Sequence, residues 1–208
     1  MLHKAARNGY PIAQAHLGAF ELAGGRIDGR DPRPEYWLNR AAENGVPQAQ
    51  LILARAYLSG VFGERNKSDG LHWLSRAESH GLESARVTRL EWKILGAQER
   101  GDADAAEEAR HSLNRLAEAG NVDAALSMAR LYSAGIGVPR DWVKAMDWYE
   151  RAAKAGSTEA QKKLALAYKT GLGRARDEEK AEKWLEAATR KGKLLTYGPD
   201  GFQFFEGR

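Results

Sequence analysis

The chain contains no cysteine, which removes disulfide frameworks, thiolate nucleophiles and zinc ribbons together. Its histidines, His3, His16, His72, His80 and His111, include no His-Glu-x-x-His and no pair one helical turn apart. No metal or other cofactor is therefore expected. No apolar run approaches the ~20 residues of a membrane span, so membrane insertion is not expected. No charged start with an apolar middle and a small-residue cleavage site marks a signal peptide. Neither sign of charge dominates: 32 Lys and Arg stand against 28 Asp and Glu, a net charge of +4. A nucleic-acid surface usually needs a continuous basic stripe with stacking aromatics, and here the aromatics recur among core-type residues, so nucleic acid is not an expected partner. What the chain does have is 43% hydrophobic residues in 208, enough to build a core.

Those apolar residues return at a fixed interval. Glycines at 9, 45, 81, 120, 156 and 192 are separated by 36, 36, 39, 36 and 36 residues, and such a period marks a repeat array. Four residues after each of the first five stands an alanine (Ala13, Ala49, Ala85, Ala124, Ala160), a side chain small enough to let helices approach closely. Fifteen residues after each stands another glycine (Gly24, Gly60, Gly96, Gly135, Gly171), where the first helix of the unit should stop in a left-handed cap. A second helix then carries Trp37, Trp73, Trp148 and Trp184, each followed by Leu38, Leu74, Tyr149 or Leu185, read as core knobs. Leu2 to Asn8 reads as the end of a helix whose beginning is missing, so a leader or further repeats could precede it. The expected domain is an array over 1–192, with a partial repeat at 1–8, repeats at 9–44, 45–80, 81–119, 120–155 and 156–191, and a non-repeat tail at 193–208. Gly25 to Pro34 reads as a polar loop. The third unit departs most, with Ser112 in place of the Trp and an extra Gly101-Asp102-Ala103-Asp104.

Unit four carries Ala124, Met128-Ala129, Tyr132, Gly135-x-Gly137-Val138-Pro139-x-Asp141, Lys144-Ala145, Trp148-Tyr149 and Ala152-Ala153-x-x-Gly156. This resembles the Sel1-like repeat, a relative of the tetratricopeptide repeat, and the likeness covers nearly all of residues 1–192. The resemblance implies an all-α solenoid, a right-handed superhelix of antiparallel helix pairs, usually bacterial at this length and acting as an adaptor or scaffold for protein–protein interaction. It implies no shared catalytic residues. Some relatives are cysteine-rich secreted proteins described as binding or hydrolysing β-lactams, and this chain lacks those cysteines.

Motif by motif, catalysis finds little support. Gly135-Ile136-Gly137 and Gly171-Leu172-Gly173 are not followed by Gly-Lys-Ser/Thr, so they read as helix caps rather than phosphate loops. No Gly-x-Ser-x-Gly elbow marks a nucleophile. Glu107-Glu108 and Asp177-Glu178-Glu179 sit near expected helix starts, where the helix dipole favours acids. At ~100° per residue, positions six, ten and thirteen of the first helices lie opposite the Ala, Leu and Tyr core phases. They should line a concave groove. The expected partner-binding residues are Leu51, Arg55, Leu58, Val87, Glu91, Ile94, Leu126 and Arg130, an apolar strip edged by charge and suited to a peptide or helix.

The leading expectation is thus a noncatalytic scaffold for a protein or peptide. The alternatives are a secreted cell-wall-ligand binder or β-lactamase-like hydrolase, with Glu91 and His111 as its acid and base, and a module that weakly self-associates through its apolar ends. In the tail, Thr196 to Gly201 is a turn signal. The cluster Phe202-Gln203-Phe204-Phe205 is expected to dock near Leu185 and Ala188 and cap the array.

Overall fold

A computed structural model describes residues 1–25 and 33–189 in full, with the backbone of Arg190, 195–198 and 201–204. The loop expected between Gly25 and Pro34 lies largely outside the described residues. The fold is all-α, a succession of antiparallel helix pairs preceded by a lone second helix. The lone helix is α1 (Leu2–Arg7). The pairs are α2 (Pro11–Leu22) with α3 (Pro34–Glu43), α4 (Pro47–Ser59) with α5 (Lys67–Ser79), α6 (Glu83–Arg100) with α7 (Ala103–Glu118), α8 (Val122–Ala134) with α9 (Trp142–Lys154), and α10 (Thr158–Thr170) with α11 (Glu178–Arg190).

Local chemistry explains where these helices begin and end. Asn121 and Ser157 accept from the amides of Ala124 and Ala160, while Asp141 and Asp177 do the same for Lys144 and Lys180. Each satisfies one of the orphan N–H groups of a first turn. Pro11, Pro34 and Pro47 start α2, α3 and α4, at the one helical position where proline costs nothing. At the other end, α8 and α10 stop at Gly135 (φ 73°) and Gly171 (φ 81°), left-handed positions where a Cβ would strain the backbone.

The third pair differs from expectation. α6 runs through Gly96 to Arg100 and stops only before Gly101, whose φ is +71°. Gly96 is not among the positive-φ glycines, so it is a helix-interior residue and no cap. The Gly101-Asp102 turn that the extra residues supply then starts α7 at once, with Asp102 accepting from the Ala105 amide. This early start moves Glu107 and Glu108 beyond the first turn of α7, so the dipole does not account for them. Glu107 instead pairs with Arg110 and His111, and Glu108 with Lys93 at 2.8 Å.

The chain forms two compact units, Met1–Arg89 and Leu90–Arg208, divided within α6. In the first, Ala6, Ala13, Leu17 and Trp37 form one core cluster, with Ala5 packed against it. Leu38, Leu53 and Leu74 are wholly buried. In the second, Ala124, Met128, Ala129, Ala145, Tyr149 and Ala152 are buried where α8, α9 and α10 meet. The core-knob expectation holds for Trp37, Trp73, Leu38, Leu74 and Tyr149. It fails for Leu185, which is 53% exposed, and Trp148 and Trp184 are only half-buried. After α11, β1 (Leu195–Gly198) and β2 (Gly201–Phe204) pair antiparallel, Leu195 opposite Phe204 and Gly198 opposite Gly201. The expected docking of the Phe side chains lies outside the described residues.

Two devices stitch consecutive pairs together. The second glycine of each Gly-x-Gly faces the preceding pair: a Cβ on Gly173 would lie 2.4 Å from the Trp142 carbonyl oxygen, and one on Gly137 2.6 Å from Ile94 Cγ2. The second is a buried glutamine five residues after the repeat glycine. Gln14, Gln50 and Gln161 donate through Nε2 to the carbonyls of Ala6, Ala42 and Ala153, eight residues back on the preceding helix.

Candidate functional site

The first helices were expected to present an open apolar strip, and the structure places its members on both sides of the surface. In the first unit Leu51, Leu58 and Val87 are buried, as are Ile94 and Leu126 in the second. These five are core, and the open apolar strip is not formed by them. An inner first helix is enclosed on more sides than its amphipathic pattern implies: in α8, every residue from Ala124 to Ala129 and also Leu131 is buried. What remains at the surface is position ten, occupied by Arg55, Glu91 and Arg130.

Arg55 donates to Thr88 Oγ1 at 3.1 Å within the first unit. In the second unit Glu91 and Arg130 are brought together, with Arg130 Nη1 3.6 Å from Glu91 Oε1. Arg130 Nη2 reaches Glu159 on α10 at 3.0 Å, and Ser127 Oγ donates to Glu91. Arg130 thereby bridges carboxylates from α6 and α10. Burial disfavours its charge, but the hydrogen bond it donates to Glu159 and the nearby Glu91 outweigh burial and hold its pKa above the ordinary arginine value. Between α6 and α8 this ion pair rims a cavity of about 160 Å³ whose other walls are Trp92, Leu95, Leu131 and Ile136. Neither Trp92 nor Leu95 belonged to the expected set. They fall one residue after position ten and one after position thirteen, and both are half-buried.

The acid and base nominated for a hydrolase have other partners. Glu91 is held by Ser127 and Arg130, while His111 lies 3.2 Å from Glu107 on its own helix. Among the described residues no group of three or more His, Asp or Glu side chains is arranged to hold a metal ion, and no helix is long and apolar enough to cross a membrane.

A second surface lies between α10 and α11. It is a groove of about 560 Å³ lined by Lys162, Ala165, Leu166 and Lys169 on α10 and Glu178, Ala181, Glu182 and Leu185 on α11. Lys162, Leu166 and Lys169 stand at positions six, ten and thirteen of the fifth repeat, a pattern within one helix that does not pair them with α11.

The arrangement of these helices is shared with known proteins. A Sel1 repeat protein from Oxalobacter formigenes is 27% identical, with a TM-score of 0.56 over 88% of this chain and 74% of that one. A protective antigen of uropathogenic Escherichia coli with the same repeat fold is 26% identical at a TM-score of 0.50, and the chain, 92% of it aligned, spans 40% of that protein's length. The immunity protein Pa5087 of Pseudomonas aeruginosa shares the fold at 18% identity and a TM-score of 0.58, over 91% of this chain and 71% of that one. No curated protein matches the sequence. The profile of the Sel1 repeat matches residues 35–46, 47–82, 122–157 and 158–193, more than half of the chain, and leaves unmatched the divergent third unit with its long α6. With its paired helices and glycine caps, the chain belongs to the Sel1 repeat family.

Proposed function

We propose that the protein is a noncatalytic scaffold that holds a protein or peptide against the exposed positions of its first helices. The observation that carries this reading is the cavity between α6 and α8. Its about 160 Å³ is room for one aliphatic or aromatic side chain, with apolar walls and a charged rim of Glu91 and Arg130. A buried apolar anchor beside an arginine is the usual composition of a binding hot spot. Arg55 takes the same repeat position in the first unit, where Leu51, Leu58 and Val87 hold the helices, as Ile94 and Leu126 do in the second.

Arg130→Gln tests the reading more cleanly than a charge reversal, which would set a third carboxylate between Glu91 and Glu159. In quantitative affinity capture from the native cell, the bound partner should fall at least tenfold with Arg130→Gln. It should stay level with Lys154→Gln, an exposed change on α9. Equal capture by all three proteins would remove the first-helix face as the site.

A further inference from the structure

We infer that the α10–α11 groove is a second docking site whose occupant is an amphipathic helix with an apolar seam, an acidic flank toward α10 and a basic flank toward α11. The equivalent groove one repeat earlier lies between α8 and α9. There Leu126, Ala129, Ala145, Met146 and Tyr149 are buried, and the helix lying alongside is α10, tied across by the Arg130–Glu159 pair. The same groove at α10–α11 thus has the shape to receive a helix.

Its lining has been rewritten. Leu126 becomes Lys162, Ser133 becomes Lys169, Trp142 becomes Glu178 and Met146 becomes Glu182, while the alanines of the floor are kept as Ala165 and Ala181. A groove rewritten only for solubility would turn polar throughout. This one does the reverse at its centre: Leu166 stands where Arg130 and Arg55 stand in other repeats, 54% exposed, and Leu185 is 53% exposed. The two charges are also segregated, lysines on the α10 wall and glutamates on the α11 wall. An apolar floor between walls of opposite sign selects a helix by charge complementarity and rejects one with a single sign.

The test uses a synthetic 14-residue helical peptide with leucine and alanine along one face, glutamates on one flank and lysines on the other. The comparison peptide carries lysines on both flanks. By calorimetry the full chain should bind the mixed peptide at least tenfold more tightly. Lys162→Glu with Lys169→Glu should invert that preference, and Leu166→Asp should abolish binding of both. The site is refuted if neither peptide binds, or if the preference survives the double variant. Binding only after Phe202, Phe204 and Phe205 are replaced by alanine would make the chain's own end the occupant and refute it too. So would a wild-type dimer that Leu166→Asp converts to monomer, since the occupant would then be a second copy. The inference rests on the reading of the protein as a binder, but Arg130→Gln lies outside this groove and should leave peptide binding unchanged, so the two can fail separately.

Discussion

At the scale of single residues, small side chains at a fixed position set how closely the helices pack. The position nine residues after the repeat glycine holds Gly18, Ala54, Ala129 and Ala165, with Leu90 there only in the divergent third unit. Gly18 is the extreme case: a Cβ there would lie 2.7 Å from Leu38 Cγ and 3.0 Å from the Pro34 carbonyl oxygen. Two effects oppose each other in Gly18→Ala. Helix propensity favours alanine by about 1 kcal/mol, whereas forcing a methyl against a fully buried leucine and a backbone oxygen costs roughly 1 to 3 kcal/mol. Leu38 has no exposed side to move toward, so packing wins. The expected outcome is a lower midpoint in urea denaturation, and a raised midpoint would show that α2 and α3 separate at little cost.

At the scale of elements, the pairs are joined by a few polar contacts whose strength depends on pH. Glu78 on α5 meets Arg89 on α6 through two parallel bonds, Nε to Oε2 at 2.6 Å and Nη2 to Oε1 at 3.0 Å. The hydrogen bond from Arg89 is the main cause of a Glu78 pKa below the ordinary glutamate value, and burial works against it. A depressed carboxyl contributes stability that is complete above its unfolded pKa and lost as pH falls through its folded pKa. Since both side chains are 30% to 40% exposed, the contribution is screened and should stay within about 1 kcal/mol. Glu78→Gln should therefore lower the denaturation midpoint at neutral pH and converge with the wild type only once the pH has fallen below the ordinary glutamate range. A constant difference across that range would mean the pair does not titrate with folding.

At the scale of the whole molecule, a repeat array spreads stability over neighbouring pairs rather than one central core. Local damage should then stay local. Hydrogen exchange of Gly18→Ala should speed in α2 and α3 while the amides of α8 and α10 keep their wild-type protection. Uniform acceleration through all helices would instead describe a single cooperative domain.

Much of this was legible in the sequence because it depends on near neighbours in the chain. The period, the paired helices and the left-handed stops at Gly135 and Gly171 are local geometry, and a 36-residue interval displays each of them several times. Gly96 broke the pattern because the stop could be moved: once Gly101 and Asp102 supplied a cap and a start five residues later, nothing local required α6 to end. Sequence reasoning also expected Leu126 to face a groove and Leu185 to be core, and the structure has them the other way round. Burial is decided by what lies across from a helix, not by its phase. Leu126 is 7% exposed and buried within the second unit, and Leu185 is 53% exposed where it lines the groove between α10 and α11. The amino-acid sequence by itself determined the repeat, its helices and their ends. Only the tertiary structure decided which repeated faces are interior and which are left at the surface.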